Sequence, residues 1–493
     1  MSQAQKAGGR GLLAVLLTGQ LMANVDTAII YVAAPSIQSG LHASGAQLEL
    51  VVSGYVLSYA VLLVTGARLG DSYGHRRIFL AGLALFTATS LACGIAPEAG
   101  FLVVARILQG AGAALMVPQV LIGIQRHFSG ALRARALGAY ALTLGGAAVG
   151  GQVLGGLLTS LHTADSWRLI FLINVPVGVS LFPLARRLLP APDSGARAAA
   201  RLDVRGTVTL SAALLLTTVP LIVGREHGWP AWSWWCMAVG VVAGGLFLLV
   251  ERRVKRQGGR PLVDLGVLAR PVMSWGLTAN VLGASTNFAL LFVMALYLQQ
   301  GLGLSPLYSG AAVMAWPVTF GLAGHLLGRF PGRFSAHPAA VGYAILAASY
   351  AAMGLCALGG LSSGAVLMLT VAVGGFGLGI GFSALLRNLT TALPERYAPE
   401  ISGLVNMTTQ IGGAVGVALF GGVYLMAAGS HPPTHAEQAF GITTFACSVA
   451  ACLAATTAYL SLRQRAGTSR TAAGSRPEPA DAALTAGTGK PGA

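Results

Sequence analysis

Residues 46–97 read AQLELVVSGYVLSYAVLLVTG, then ARLGDSYGHRR, then IFLAGLALFTATSLACGIAP. Two apolar runs, 46–66 and 78–97, flank a short loop holding Arg68, Arg76 and Arg77. A helix needs about 20 mostly apolar residues to cross a bilayer. In lipid such a helix satisfies all its own backbone hydrogen bonds. Short loops rich in arginine stay on the cytoplasmic side. The stretch therefore predicts two membrane-spanning helices joined by a cytoplasmic turn.

The same pattern continues in both directions. Apolar runs stand at 11–34, 46–66, 78–97, 100–123, 134–159, 168–189, 204–223, 233–250, 272–299, 307–328, 338–358, 363–386, 401–426 and 438–462, which predicts fourteen spans. Alternate loops carry the basic residues: Arg126, Arg133 and Arg135; then Arg186, Arg187, Arg197, Arg201 and Arg205; then Arg252, Arg253, Lys255, Arg256, Arg260 and Arg270; then Arg329 and Arg333; then Arg387 and Arg396. The opposite loops offer little beyond Arg225 and Arg168. An even number of spans places both termini in the cytoplasm of a multi-pass inner-membrane protein. The first run continues to about Ala34 and contains Asp26, so it reads as a retained helix rather than a cleaved signal.

Only 9% of the 493 residues are charged, against about 25% in soluble domains, so lipid must cover much of the surface. The net charge of +16 sits in short loops between apolar runs, which argues against nucleic acid. Cys93, Cys236, Cys356, Cys447 and Cys452 lie singly in apolar runs and read as small buried side chains. With no metal-spaced cluster and no phosphate-binding Gly-Lys-Ser/Thr loop, the expectation is a transporter rather than an enzyme, needing no cofactor. Trp229, Trp232, Trp234 and Trp235 crowd one outer edge as an interfacial belt.

Glycines recur. Gly66, Gly70 and Gly74 share their spacing with Gly324, Gly328 and Gly332, and Leu69 matches Leu327. Gly110-Ala-Gly112 is like Gly377-Leu-Gly379, and Gly155-Gly156 is like Gly421-Gly422. A duplicated, all-α architecture follows: a six-helix bundle over 1–189, a linker with two extra helices over 190–270, a second bundle over 271–462, and a disordered tail over 463–493. Two bundles around a midplane cavity suit alternating access.

The motifs carry a resemblance. Gly66 to Arg77, with Gly70, Asp71, Gly74 and Arg76, resembles the Gly-x-Leu-Ala-Asp-x-x-Gly-Arg-Arg/Lys signature of the major facilitator superfamily. Arg68, Gly70 and His75 depart from its usual residues. Arg106-Ile-Leu-Gln109-Gly110-Ala-Gly112 resembles the family's fourth-helix signature. Gly146, Gly150, Gly151, Gln152, Gly155 and Gly156 resemble the antiporter signature ending Gly-Pro-x-x-Gly-Gly, with Gln152 in place of Pro. Trp167 to Gly178, and Asn24 to Ile37, resemble its sixth- and first-helix segments. The resemblance points to the fourteen-helix drug:proton antiporters. It implies a major facilitator fold, a conformational latch at residues 66–77, a small amphipathic substrate, protons as the coupling ion and a monomer in the bilayer. A transporter of one defined metabolite, a siderophore or sugar, is the alternative.

Asp26 is the residue most suited to coupling, because a charged carboxylate inside a span is costly and can bind and release a proton as its surroundings change. A fixed structural pair with arginine is the competing reading. Arg106 stands at similar depth and is the expected partner. Glu49 is either a second acidic site or a solvated helix-start residue. Asn24, Gln109, Asn174, Asn280, Asn287, Asn406 and Gln410 either line a polar cavity or bond between helices. Tyr31, Tyr55, Phe288, Met314 and Trp316 either contact an amphipathic ligand or pack.

Overall fold

The computed structural model describes residues 3–161, 165–190, 204–259, 261–326, 337–360, 364–394, 397–429 and 432–474. Arg197, Arg201, Arg260, Arg329, Arg333 and Arg396 lie outside these residues, as do the second repeat segment from Leu327 and the end of the tail.

The described residues form helices and no strand. The long helices are α1 Gln3–Leu41, α2 Gly45–Tyr73, α3 His75–Gly94, α4 Ala99–His127, α5 Gly130–Thr159 and α6 Ser166–Leu188. The central pair is α7 Val204–Glu226 and α8 Ala231–Arg256. There follow α9 Pro271–Gly301, α10 Pro306–Leu326, α11 Pro338–Leu358 and α12 Ala365–Thr391. The helix α13 runs over Ala398–Gly416, through a π-helical turn Val417–Gly421, and on through Gly422–Ala428. The last, α14, spans Pro432–Gly474.

Among the described residues, 13 helices are long and apolar enough to cross a membrane. The helix not among them is α10, where the sequence places a span at 307–328; Tyr308, Ser309, Trp316, Pro317 and Thr319 dilute its apolar character. Several ends differ from expectation; α2, for example, runs seven residues past Gly66 to Tyr73. α1 runs seven residues past Ala34, and α14 continues to Gly474, into the stretch expected to be a tail.

Close backbone approaches explain the glycine pattern. A Cβ on Gly66 would lie 2.0 Å from the Ala114 carbonyl oxygen, and one on Gly110 would lie 2.3 Å from that of Tyr55. Only glycine lets α2 and α4 pack this tightly. Gly110 faces α2 and Gly112 faces α3, while Gly375 faces α10 and Gly377 faces α11. The equivalent pair in the second half is therefore Gly375/Gly377, two residues earlier than the sequence match at 377 and 379.

The end carrying Arg76, Arg77, Arg126 and Arg186 is the basic end. At the opposite, far end the two helix groups touch. Gln299 Nε2 of α9 donates to the Val32 carbonyl of α1 at 2.9 Å, and Gln300 Nε2 to Gln38 Oε1 at 3.0 Å. Gly156 of α5 sits on the Pro306 carbonyl of α10. Toward the basic end, a Cβ on Gly145, eleven residues earlier on the same face of α5 as Gly156, would meet open space. The seam between α5 and α10 thus closes at the far end and parts toward the basic end.

Candidate functional site

Asp26 is fully buried at the centre of a hydrogen-bonded cluster from five helices. Arg106 Nη1 of α4 meets its Oδ2 at 2.5 Å. Gln109 Nε2 donates to its Oδ1 at 2.9 Å, and Asn174 Nδ2 of α6 donates to the same oxygen at 3.1 Å. Ser90 of α3 accepts from both amides at 3.1 Å and donates to the Phe171 carbonyl at 3.0 Å. Arg106 also bonds Gln109 Oε1 at 2.7 Å and the Val51 carbonyl at 3.2 Å, and its guanidinium lies 4.3 Å from the Tyr55 ring centroid. Its Nη2 has no hydrogen-bond partner among the described residues.

The arrangement follows from helical geometry. Arg106 and Gln109 are three residues apart on α4 and share a face, so one helix presents a cation and an amide to the same carboxylate. The pairing holds although α1 ends at Leu41 rather than Ala34, because α1 is longer than the bilayer is thick and its last turns project beyond. A buried carboxylate with three donors is well compensated.

Glu49 is buried, not a solvated helix-start residue. Arg225 Nη1, from the end of α7, meets its Oε1 at 3.0 Å, while Oε2 has no partner among the described residues. The next residue, Glu226, accepts from Ala46 N at 2.6 Å and Ser44 Oγ at 3.0 Å, adding to the Ser44/Gln47 capping box that opens α2. Arg225, one of two arginines on the loop set that is otherwise poor in them, was the one sequence sign of this contact.

The remaining candidates divide. Gln109 and Tyr55 belong to the Asp26 cluster, Tyr55 donating to the Ala23 carbonyl at 3.3 Å. Asn280 is spent between α9 and α13, its amide bonded to the Val405 carbonyl, Thr408 and Thr409. Residues meeting between the helix groups include Tyr31 and Phe288, whose rings cross edge-on at 6.1 Å, and Asn406, which hydrogen-bonds Tyr59. Trp316 donates to Asn287 at 2.8 Å and stacks near Tyr350. Asn24 is half-buried with an unpartnered Nδ2, Met314 is half-buried, and Gln410 is buried. Ser90, Tyr59, Gln299 and Glu226 were missed by sequence reasoning, since single polar residues in or near a span carry no pattern.

In the 66–77 segment, Asp71 Oδ1 lies 3.4 Å from both Arg126 Nη2 and His75 Nε2, and Arg76 bonds the Arg186 carbonyl. Gly74, at φ 98°, ends α2 and starts α3. Gly70 sits against Gln119, and Arg77 is exposed. Of the α5 residues, Gly151 and Gly155 pack on α1, Gly156 packs on α10, and Gly146 and Gly150 touch nothing. Gln152 is buried, its Nε2 3.5 Å from the Ala28 carbonyl and its Oε1 unpartnered.

The profile of the Major Facilitator Superfamily matches residues 16–417. The protein named probable actinorhodin transporter of Streptomyces coelicolor is 35% identical over 426 residues, 85% of this chain and 73% of that one. The cephamycin export protein of Amycolatopsis lactamdurans is 35% identical, covering 83% of each. The tetracenomycin C resistance and export protein of Streptomyces glaucescens is 34% identical, over 83% of this chain and 74% of that one. Among solved structures, a bacterial homologue of the human lysosomal transporter Spinster, inward-facing and unoccupied, superposes with a TM-score of 0.68 at 18% identity, over 95% of this chain and 99% of that one. That likeness concerns the fold alone.

Proposed function

The chain belongs to the Major Facilitator Superfamily, and from that premise we propose that it exports amphipathic, antibiotic-like compounds in exchange for protons. It is a multi-pass membrane transporter. The named substrates of the relatives, actinorhodin, cephamycin and tetracenomycin C, support this substrate class. The basic end faces the cytoplasm of a bacterial inner membrane, a reading supported by the arginine bias of its loops. In this orientation the described state is closed outside and parted inside. The first six helices and the last six form two bundles that rock about a central cavity within one chain, so a monomer suffices.

The buried cluster around Asp26 carries the coupling reading. A proton on Oδ2 would displace Arg106 Nη1, leaving Gln109 and Asn174 on Oδ1. The same Nη1 also donates to Gln109 Oε1, so it would turn from the carboxylate onto that amide while Nε keeps the Val51 carbonyl, and the switch costs the ion-pair contact rather than the whole cluster. Glu49 is a second acidic site near the external surface. The Asp71 segment is the cytoplasmic latch. The neutral lining at Tyr31, Phe288, Asn287, Trp316 and Asn406 offers aromatic faces and amides to an uncharged or zwitterionic ligand.

The driving force is adequate. One proton crossing 100 mV gains about 2.3 kcal/mol, and one pH unit adds about 1.4 kcal/mol. Together these sustain a gradient of roughly several hundred-fold for a neutral substrate exchanged one-to-one. The test is accumulation of a panel of fluorescent aromatic amphipaths by energised everted vesicles. Accumulation should appear for several compounds and collapse with a protonophore. Accumulation insensitive to the protonophore, or none for any amphipath, would refute the proposal.

A further inference from the structure

The central helices α7 and α8 interrupt the duplicated arrangement, and α7 is tied to α2 at both bilayer surfaces. At the external end, Glu226 binds Ala46 and Ser44, and Arg225 binds Glu49. At the cytoplasmic end, Thr207 Oγ1 lies 2.9 Å from Thr65 Oγ1, and Arg68 bonds the Pro261 carbonyl in the segment after α8. Ala46 to Thr65 on α2, and Thr207 to Glu226 on α7, are nineteen residues each. At a rise of about 1.5 Å this is about 28 Å, close to the ~30 Å hydrocarbon core. The two helices therefore run antiparallel in one register across the membrane.

The external end of this pair also touches the opposite bundle. Ala46 of α2, Ile222 of α7 and Ala418 in the π-helical turn of α13 form a small buried apolar cluster. A Cβ on Gly421 would lie 3.3 Å from Glu49 Oε1, and one on Gly422 would lie 2.2 Å from Arg225 Nη1. The counterpart glycine Gly156 instead packs on the backbone of α10 at Pro306. One external seam is thus plain helix-on-helix contact, and in the other the guanidinium of Arg225 is inserted where the two bundles meet.

We propose that α7 supplies half of the external gate. Arg225 is a positioning residue whose pair with Glu49 holds α2 against the π-helical turn of α13 while the outside is closed, and external opening requires this three-way contact to part. The inference rests on the alternating-access reading above. The charged groups around Glu49 are Arg225 and Glu226 of α7. Glu49 makes a single ion-pair contact and keeps one carboxylate oxygen free, so the contact can be broken without dismantling a network. The insertion at Gly422 requires a residue without a side chain, so the arginine and the glycine together define the seat.

The test reads gate position without substrate or protons. In full-length protein with its five cysteines replaced, a single cysteine is placed at Ala418 in the α7 seam or at Ser309, buried at the external start of α10 in the other seam. Right-side-out membranes are treated with a membrane-impermeant maleimide. Loss of a buried charged contact should raise the labelling rate about tenfold in Arg225→Gln, at both positions, because opening moves the bundles as wholes. Glu49→Gln should do the same, and Arg225→Lys should stay near the parent rate. If Arg225→Gln does not insert stably, Glu49→Gln decides the matter. Unchanged labelling at both positions would overturn the proposal. Labelling raised only at Ala418→Cys would also overturn it, showing that Arg225 fastens α7 locally and does not hold the gate. Because the readout needs no transport, either outcome is separable from a failure of the export reading.

Discussion

Two buried ion pairs, Asp26–Arg106 and Glu49–Arg225, use the same chemistry in different settings. The first lies inside one helix group, and its carboxylate accepts from three donors on α4 and α6. The second lies where α2, α7 and α13 meet, and its carboxylate makes one ion-pair contact. A network carried within one bundle survives a rocking of the bundles. A single contact in a seam is broken or made by it. In the proposed cycle the first would keep its charge network within one bundle, and the second would part as the outside opens.

Removing one partner from each pair should sharpen this difference. Arg106→Gln leaves Asp26 buried without its cation and should cost about 3–5 kcal/mol of stability, read as loss of monodisperse protein after detergent extraction. Arg225→Gln should cost clearly less, because Arg225 makes one contact to Glu49, whereas Arg106 binds Asp26, Gln109 and the Val51 carbonyl together. Equal losses for both would contradict the contrast.

Glycine substitutions probe packing against open space. Gly110→Ala forces a Cβ to within 2.3 Å of the Tyr55 carbonyl oxygen and should cost about 1–3 kcal/mol. Gly150→Ala meets nothing within 4 Å and should leave thermal stability unchanged. A stability loss at Gly150→Ala would mean that α5 packs there in another state, and a thermal-shift series in detergent would reveal it.

Smaller effects are expected outside the charged clusters. Trp316→Phe removes the donor to Asn287 and should cost about 1 kcal/mol, with a changed order of preference across an aromatic substrate panel. The weakest effect belongs to Asp264, in the segment after α8. Partial burial opposes its charge, but hydrogen bonds from Lys255 and the Gly266 amide prevail and hold its carboxyl below the ordinary value of 3.8. A depressed carboxyl stabilises the fold above its unfolded value and loses that contribution as pH falls through the folded one. Asp264→Asn should therefore lower stability by less than about 1 kcal/mol at pH 7, with the difference from the parent shrinking below pH 4. A difference that persisted in acid would show that another interaction had been lost.

Much of this was legible in the sequence because the bilayer imposes simple rules. Long apolar runs located the helices, and Asp26 and Arg106 stood out as charges inside spans. Their pairing followed from comparable depth. Depth arithmetic does not give rotation about the helix axis, so Asn280 and Gln109 could not be told from cavity-lining amides until their partners were seen. The register of the second glycine pair was two residues off, since glycine spacing alone does not say which neighbour each glycine faces. Glu49 could not be told, as a second acidic site or a solvated helix start, because its partner comes from α7, far along the chain. No local pattern could bring Arg225 and Gly422 to the same place.

The most direct test of the account is substrate-triggered proton movement in everted vesicles carrying the parent protein or Asp26→Asn. The vesicles are acidified inside by respiration, then given an amphipath that the parent accumulates. The lumen should become alkaline with the parent and not with Asp26→Asn, at equal amounts of inserted protein. Full alkalinisation by Asp26→Asn would contradict it, because the coupling proton would then be carried elsewhere.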